Sequence, residues 1–156
     1  MSNQTIERED PMGMAMTEMM QLLMNNDNYL YGMAFTMAEE ALRSQEDEQR
    51  RSKLGTHFLL LVSLRDSSVK AMENYNKERR LRVATLEADL RDWAETKVME
   101  LEEIEKLRKK SVSSLGVDNS LAGFAWGILS HATSHCNWNQ IAGFFLDRCT
   151  EYYLNK

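Results

Sequence analysis

Apolar side chains recur every three or four residues along most of this chain, the spacing that places them on one face of a helix. The first such stretch covers residues 12–25 and carries Met12, Met16, Met19, Met20, Leu23 and Met24. A periodic apolar face usually marks burial, so we expect this face to pack against its neighbour. Flexible methionine side chains also suit an adaptable binding surface, and the two interpretations are compatible in an oligomer.

Turn residues separate this first helix from a second one. Asn25, Asn26 and Asp27 form a turn cluster, and Asp27 or Asn28 can cap the next helix. The second helix carries an apolar stripe of its own, formed by Leu30, Ala34, Met37 and Ala41. We therefore predict a Met-rich helical pair at residues 12–55, preceded by a flexible polar tail at residues 1–11.

Residues 56–110 hold the longest helical pattern in the chain. Within them, an apolar stripe with a mean step close to 3.5 residues comprises Val83, Leu86, Leu90, Ala94, Val98, Leu101 and Ile104. The steps do not form a strict heptad, but they resemble those of a coiled coil. A continuous helix over this stretch would span roughly 80 Å at 1.5 Å per residue. We expect one long charged helix with an irregularity near Asp66–Ser68 or Asn74–Asn76.

The composition changes at residues 111–116, which read SVSSLG and predict a linker. Residues 65–110 hold 23 charged side chains, whereas residues 117–156 hold five. The later segment predicts two helices, the first ending near Ala132 and the second near Tyr153. The second carries a stripe formed by Trp138, Ile141, Phe145, Cys149 and Tyr152. We therefore predict an aromatic helical hairpin at residues 117–156.

Together these segments predict an all-α, elongated protein with a long central helix and a C-terminal helical hairpin. The chain has 156 residues and a net charge of −5, which disfavours binding to nucleic acid or anionic lipid. Its longest apolar runs have five residues (58–62) and nine residues (121–129), far fewer than the ~20 that a membrane span needs. Two cysteines suit a reducing compartment, so we expect an intracellular, cytoplasmic protein.

One cluster of metal-binding residue types stands in the sequence HATSHC. His131 and His135 lie four residues apart, so both imidazoles can reach one ion from the same helix face, and Cys136 is adjacent. A site would need a further ligand, for which Cys149 or Asp147 could fold back. The alternative is a purely structural role, in which the histidines end a helix and the cysteine is buried, and we favour this interpretation.

Two other patterns also have a structural explanation. Lys77, Arg79, Arg80 and Arg82 form a basic cluster, but acidic neighbours predict a solvated helix face and not a nucleic-acid site. Gly123 and Gly127 have the GxxxG spacing that lets helices approach closely, and we expect them to pack against the last helix.

Residues Asn137–Phe145, which read NWNQIAGFF, resemble the NWGRIxxFF segment of the Bcl-2 family. The resemblance covers nine residues. Asn139 and Gln140 replace the family's Gly and Arg, and that Arg is the residue that pairs with an acidic side chain of a partner helix. We carry no function over from this resemblance.

No phosphate-binding loop, nucleophile elbow or catalytic triad order stands in the sequence, so we expect no enzymatic activity and no cofactor. We expect a helical assembly or adaptor protein that contacts a protein partner or copies of itself. The predicted contact residues are Leu86, Leu90, Val98, Leu101, Ile104, Trp138 and Phe145. Two alternatives are a helical bundle with a metal or small-ligand site at His131, His135 and Cys136, and a regulator that binds a partner through its aromatic hairpin.

Overall fold

A computed structural model describes residues 11–43, 56–112 and 120–155, and within these ranges the chain is helical without strands. It forms α1 (Pro11–Asn26), α2 (Asn28–Leu42), α3 (Thr56–Leu64), α4 (Val69–Val112), α5 (Ser120–His135) and α6 (Trp138–Leu154). The all-α class, the long helix and the C-terminal helical pair are thus confirmed. The predictions for the tail at 1–10, for residues 44–55 and for the linker at 113–119 lie outside the described residues.

Local sequence signals account for the helix boundaries. Pro11 opens α1, where its missing N–H costs nothing. Asp27 caps α2, because its carboxylate accepts a hydrogen bond from the backbone N–H of Leu30 at 2.9 Å. The irregularity predicted in the long charged stretch lies between α3 and α4. There the hydroxyl of Ser68 accepts from the backbone N–H of Ala71 at 3.1 Å and so begins α4.

The chain divides into two compact units. One comprises Gln21–Leu90 with Trp138–Lys156, and α6 is its most deeply buried helix. The inward-facing residues of α6 are Trp138, Ile141, Ala142, Gly143, Phe145, Leu146, Cys149 and Thr150. Both α2 and α3 pack on α6. The buried face of α2 is lined by small residues, Ala34, Ala38 and Ala41, which leave room for a close approach.

Aromatic rings support the contact between α2 and α6. The Tyr31 and Phe145 rings meet edge to face with centroids 5.9 Å apart, and Phe35 meets Tyr152 in the same way at 5.4 Å. Such offset geometries are the favoured ones for aromatic pairs. The hairpin's aromatic stripe therefore builds the core of this unit.

The other unit comprises Met1–Met20 with Arg91–Asn137. Thr17 is a polar residue of this unit and is almost completely buried. Its hydroxyl donates to the carbonyl of Gly13 at 2.7 Å and accepts from the backbone N–H of Asn137 at 2.8 Å. The buried hydroxyl therefore has both a donor and an acceptor partner. Its hydrogen bond with Asn137 connects α1 to the turn before α6.

Candidate protein-interaction surface

The apolar stripe of α4 begins inside the protein. Val83, Leu86, Leu90 and Ala94 are all buried, with Leu86 and Leu90 completely so. Two of the predicted contact residues, Leu86 and Leu90, thus contribute to the chain's own core. Their steps of three and four residues keep them on one side of α4, as the sequence pattern predicts.

The same side of α4 becomes exposed further along. Val98 is half-buried, and exposure then reaches 38% at Leu101, 55% at Ile104 and 65% at Leu107. We call Leu101, Ile104 and Leu107 the exposed stripe, because these three lie within about 120° of one another around the helix, whereas Val98 lies about 180° from Leu107. Leu107 was absent from the predicted contact set, although it lies three residues after Ile104 and so continues the pattern.

Charged side chains flank the exposed stripe. Lys97 pairs with Glu100 at 3.1 Å, and Lys106 pairs with Glu102 at 3.6 Å, each within the same helix. Exposed pairs of this kind contribute at most ~1 kcal/mol. They keep the helix surface hydrated beside the apolar side chains, but they do not cover those side chains, as the exposures show.

The predicted aromatic contact residues are buried. Trp138 is 2% exposed and Phe145 is completely buried, both on α6. A partner could reach these rings only if the unit opened. Their burial shows that both rings belong to the core, and their predicted contact with a partner stays a prediction.

The two histidines of the metal alternative do lie side by side. The ring centroids of His131 and His135 are 4.2 Å apart, and both side chains are exposed. Cys136 is buried, and burial raises the pKa of its thiol. Within the described residues, no group of three His, Cys, Asp or Glu side chains is placed to hold a metal ion.

The two residues considered as further metal ligands have other surroundings. Asp147 accepts two hydrogen bonds from Arg79, at 3.1 Å from Nε and 3.0 Å from Nη2. Cys149 is completely buried, and desolvation, helped by the negative charge of Glu39, raises the pKa of its thiol to about 12. A thiol held in its neutral form is a poor metal ligand and a poor nucleophile.

The methionine face of α1 is buried only in part. Met24 is completely buried, but Met12, Met19 and Leu23 are each more than half exposed. The expectation that this face is covered therefore holds at Met24 and fails at these three positions. Periodicity gives their shared side of the helix, but the neighbouring chain needed to cover it has to come from elsewhere in the fold.

Arg79 and Arg82 of the basic cluster form contacts with distant parts of the chain, contrary to the expectation of a solvated face. Arg82 is 4% exposed, and its Nε donates to the carbonyl of Leu42, the last residue of α2, at 3.1 Å. The guanidinium also lies 4.7 Å from the centroid of the Phe58 ring. The sequence signal that could have predicted the burial of Arg82 is its position. Arg82 lies one helical turn before Leu86, on the buried side of α4.

The close approach expected at Gly127, the second glycine of the GxxxG pair, is absent, and one occurs instead at Gly143. A Cβ built at Gly127 would meet nothing within 4 Å, so close packing does not explain that residue. At Gly143 on α6, a Cβ would lie 3.1 Å from Nη2 of Arg79. An alanine at this position would therefore be packed tightly against the guanidinium.

No helix in the described ranges is long and apolar enough to cross a membrane, in agreement with the sequence prediction. Neither a protein-family model, nor a curated protein, nor a solved structure matches this chain. The basis for a function is therefore the chemistry of the described side chains, and the exposed stripe is one apolar surface among them.

Proposed function

We propose that this chain is a non-enzymatic helical assembly or adaptor protein that binds another protein, or a copy of itself, through the exposed stripe. The observation that carries this proposal is the change in exposure along one side of α4. Leu90 and Ala94 are buried, whereas Leu101 is 38% exposed and Ile104 is 55% exposed. An apolar helix face that extends beyond its core is typical of a binding surface.

The energetic case rests on removing these side chains from water. Complete burial of a Leu or Ile side chain is worth ~1.5–3 kcal/mol relative to full exposure. Leu101, Ile104 and Leu107 are only partly exposed, so each supplies a fraction of that value. Their sum, less the cost of association, supports a contact of modest affinity.

The predicted contact residues divide into two groups on this proposal. Leu101 and Ile104, with Leu107 added, would form the centre of the contact, and Val98, about 120° around the helix from Ile104, would lie at its edge. Leu86, Leu90, Trp138 and Phe145 would act indirectly, because they hold the folded units together. The surface is thus shorter than the whole stripe that the sequence pattern outlines.

The proposal includes an intracellular, cytoplasmic setting and no cofactor. Cys136 and Cys149 are both free and buried, as expected for a protein kept reduced. The net charge of −5 supports a protein partner over nucleic acid.

A matched pair of variants tests the proposal. Leu101→Asp combined with Ile104→Asp places two charges in the exposed stripe. Leu81→Asp is the control, because Leu81 is 56% exposed on the opposite side of α4. Light scattering measures self-association of the purified chain, and binding to an identified, separately purified partner measures adaptor activity.

We expect the double variant to weaken association more than tenfold, on the order of 1.4 kcal/mol or more, because a charge at a buried contact must be desolvated. The control should keep wild-type association, and circular dichroism should show equal helix content in all three proteins. If the double variant and Leu81→Asp bind alike in both assays, the proposal is wrong.

A further inference from the structure

The charge of α4 reverses sign within the exposed stripe. Residues 98–105 hold four glutamates and no base, and residues 106–110 hold four bases and no acid. The change lies between residues 105 and 106, so Ile104 and Leu107 stand on either side of it at equal distances. Both of these side chains are more than half exposed.

The charges of two copies of this helix segment are complementary only when the two helices run antiparallel. In a parallel pair, the acidic block of one helix would lie beside the acidic block of the other, and the basic blocks would also meet. In an antiparallel pair with a two-fold axis between residues 105 and 106, each acidic block faces a basic block. The same axis sets Ile104 of one copy opposite Leu107 of the other.

We infer that the occupant of the exposed stripe is a second copy of this chain, packed antiparallel along residues 98–110 of α4. The inference rests on the proposed function and names its partner. A two-fold contact of this kind is isologous, so each residue pair occurs twice. The apolar side chains supply the affinity, and the two charge blocks determine the orientation.

The ion pairs within each helix are compatible with this contact. Lys106 lies 3.6 Å from Glu102 of its own helix, and both side chains are substantially exposed. Glu102 lies roughly 150° around α4 from both Ile104 and Leu107, so this pair stays in solvent on the side of the helix away from the contact. A contact over about three helical turns is smaller than a standard stable interface, so we expect dissociation on the order of micromolar concentrations.

Two charge variants of the full chain test the pairing. Glu100→Lys with Glu103→Lys neutralises the acidic block, and Arg108→Glu with Lys110→Glu neutralises the basic block, at positions within about 90° of the direction of Ile104 and Leu107 around the helix. Each variant alone then lacks the opposing attraction, whereas an equimolar mixture retains one acidic block facing one basic block. We expect each variant to self-associate at least tenfold more weakly than the wild type, and the mixture to regain dimers by light scattering.

A distance measurement tests the orientation. Glu95 is exposed, and a spin label on Glu95→Cys lies about ten residues from the proposed axis. At 1.5 Å per residue, the two labels of an antiparallel pair should be roughly 30 Å apart. In a parallel pair they would be separated by about one helix spacing, ~10 Å.

The outcomes separate this inference from the proposed function. Wild-type dimers, monomeric charge variants, dimers in the mixture and the long label distance support it. A wild-type chain that stays monomeric at ~100 μM, well above a micromolar dissociation constant, overturns the second copy while adaptor binding through Leu101 and Ile104 stands. Dimers that ignore the charge variants, or that give the short distance, overturn the antiparallel arrangement. The proposed function itself fails on a different result. It is wrong if the Leu101→Asp/Ile104→Asp double variant and the Leu81→Asp control associate equally well.

Discussion

Arg79 reaches across Gly143 to bind Asp147. The residues lie on two helices, and 68 positions separate Arg79 from Asp147 in the sequence. Nε and Nη2 of Arg79 each donate to a different carboxylate oxygen of Asp147, which is the bidentate geometry that fixes an arginine in place. Asp147 is also the main cause of the raised pKa of Arg79.

The first prediction concerns the space that Gly143 provides. Replacing a helical glycine with alanine usually stabilises a helix by up to ~1 kcal/mol. At Gly143 part of that gain should be lost, because the new Cβ would press on Nη2 of Arg79 at 3.1 Å. We expect Gly143→Ala to stabilise the protein by about 0.5 kcal/mol less in the wild type than in the Arg79→Ala background.

Urea unfolding of the wild type, both single variants and the double variant measures this coupling. Gly32→Ala is the matched control, since a Cβ there meets nothing within 4 Å. Its gain should be the same with and without Arg79. If the gain at Gly143 is also independent of Arg79, then the contact between them has no energetic weight.

The second prediction concerns the buried guanidinium of Arg82. It hydrogen-bonds Leu42 and Glu78 and lies over the face of Phe58. A lysine would bury an ammonium that has neither the planar face nor the directed Nε–H. We expect Arg82→Lys to lower the free energy of unfolding by about 2 kcal/mol or more.

Arg80→Lys provides the comparison, because Arg80 is exposed two residues earlier on the same helix. It should change the free energy of unfolding by less than about 0.5 kcal/mol. Chemical denaturation of both variants is sufficient, and equal stabilities would show that the burial of Arg82 does not require its guanidinium.

The third prediction is a pH dependence caused by Cys149. In the unfolded chain this thiol loses its proton near pH 9, but in the folded protein its pKa is about 12. Above pH 9 the unfolded state therefore releases a proton that the folded state retains. The free energy of unfolding should fall as pH rises from 9 towards 12, by at most about 1.4 kcal/mol per pH unit, and this contribution should be constant below pH 9.

Unfolding of the wild type and Cys149→Ala at pH 8 and pH 10.5 isolates this effect from the other groups that titrate there. The alanine variant should lose less stability between the two pH values. In the native wild type at pH 8, a thiol reagent should not modify Cys149, because the side chain is buried and neutral. Identical losses in the two proteins would contradict the assigned cause.

The helices could be predicted from the sequence because their signals are local. The cap at Asp27 involves Leu30 three residues later, and the break before α4 involves Ser68 and Ala71. The apolar stripe of α4 was likewise visible, since its three- and four-residue steps define one side of a helix. These features require no knowledge of what lies beside each helix.

Burial was decided by the tertiary structure, because it depends on neighbours that are distant along the chain. Arg82 meets Leu42 across 40 positions, and Arg79 meets Asp147 across 68. Nothing within the basic cluster distinguishes these two arginines from the exposed Arg80 except their place on the stripe.

The candidate site divides in the same way. By itself the sequence determined that Leu86, Leu90, Leu101 and Ile104 share one side of a long helix, because the angle between residues is a property of the helix backbone. Only the tertiary structure decided that Leu86 and Leu90 are inside while Leu101 and Ile104 are outside. The reason is that removing a side chain from water requires atoms packed around it, and other segments of the chain surround the first pair completely but cover the second pair only in part.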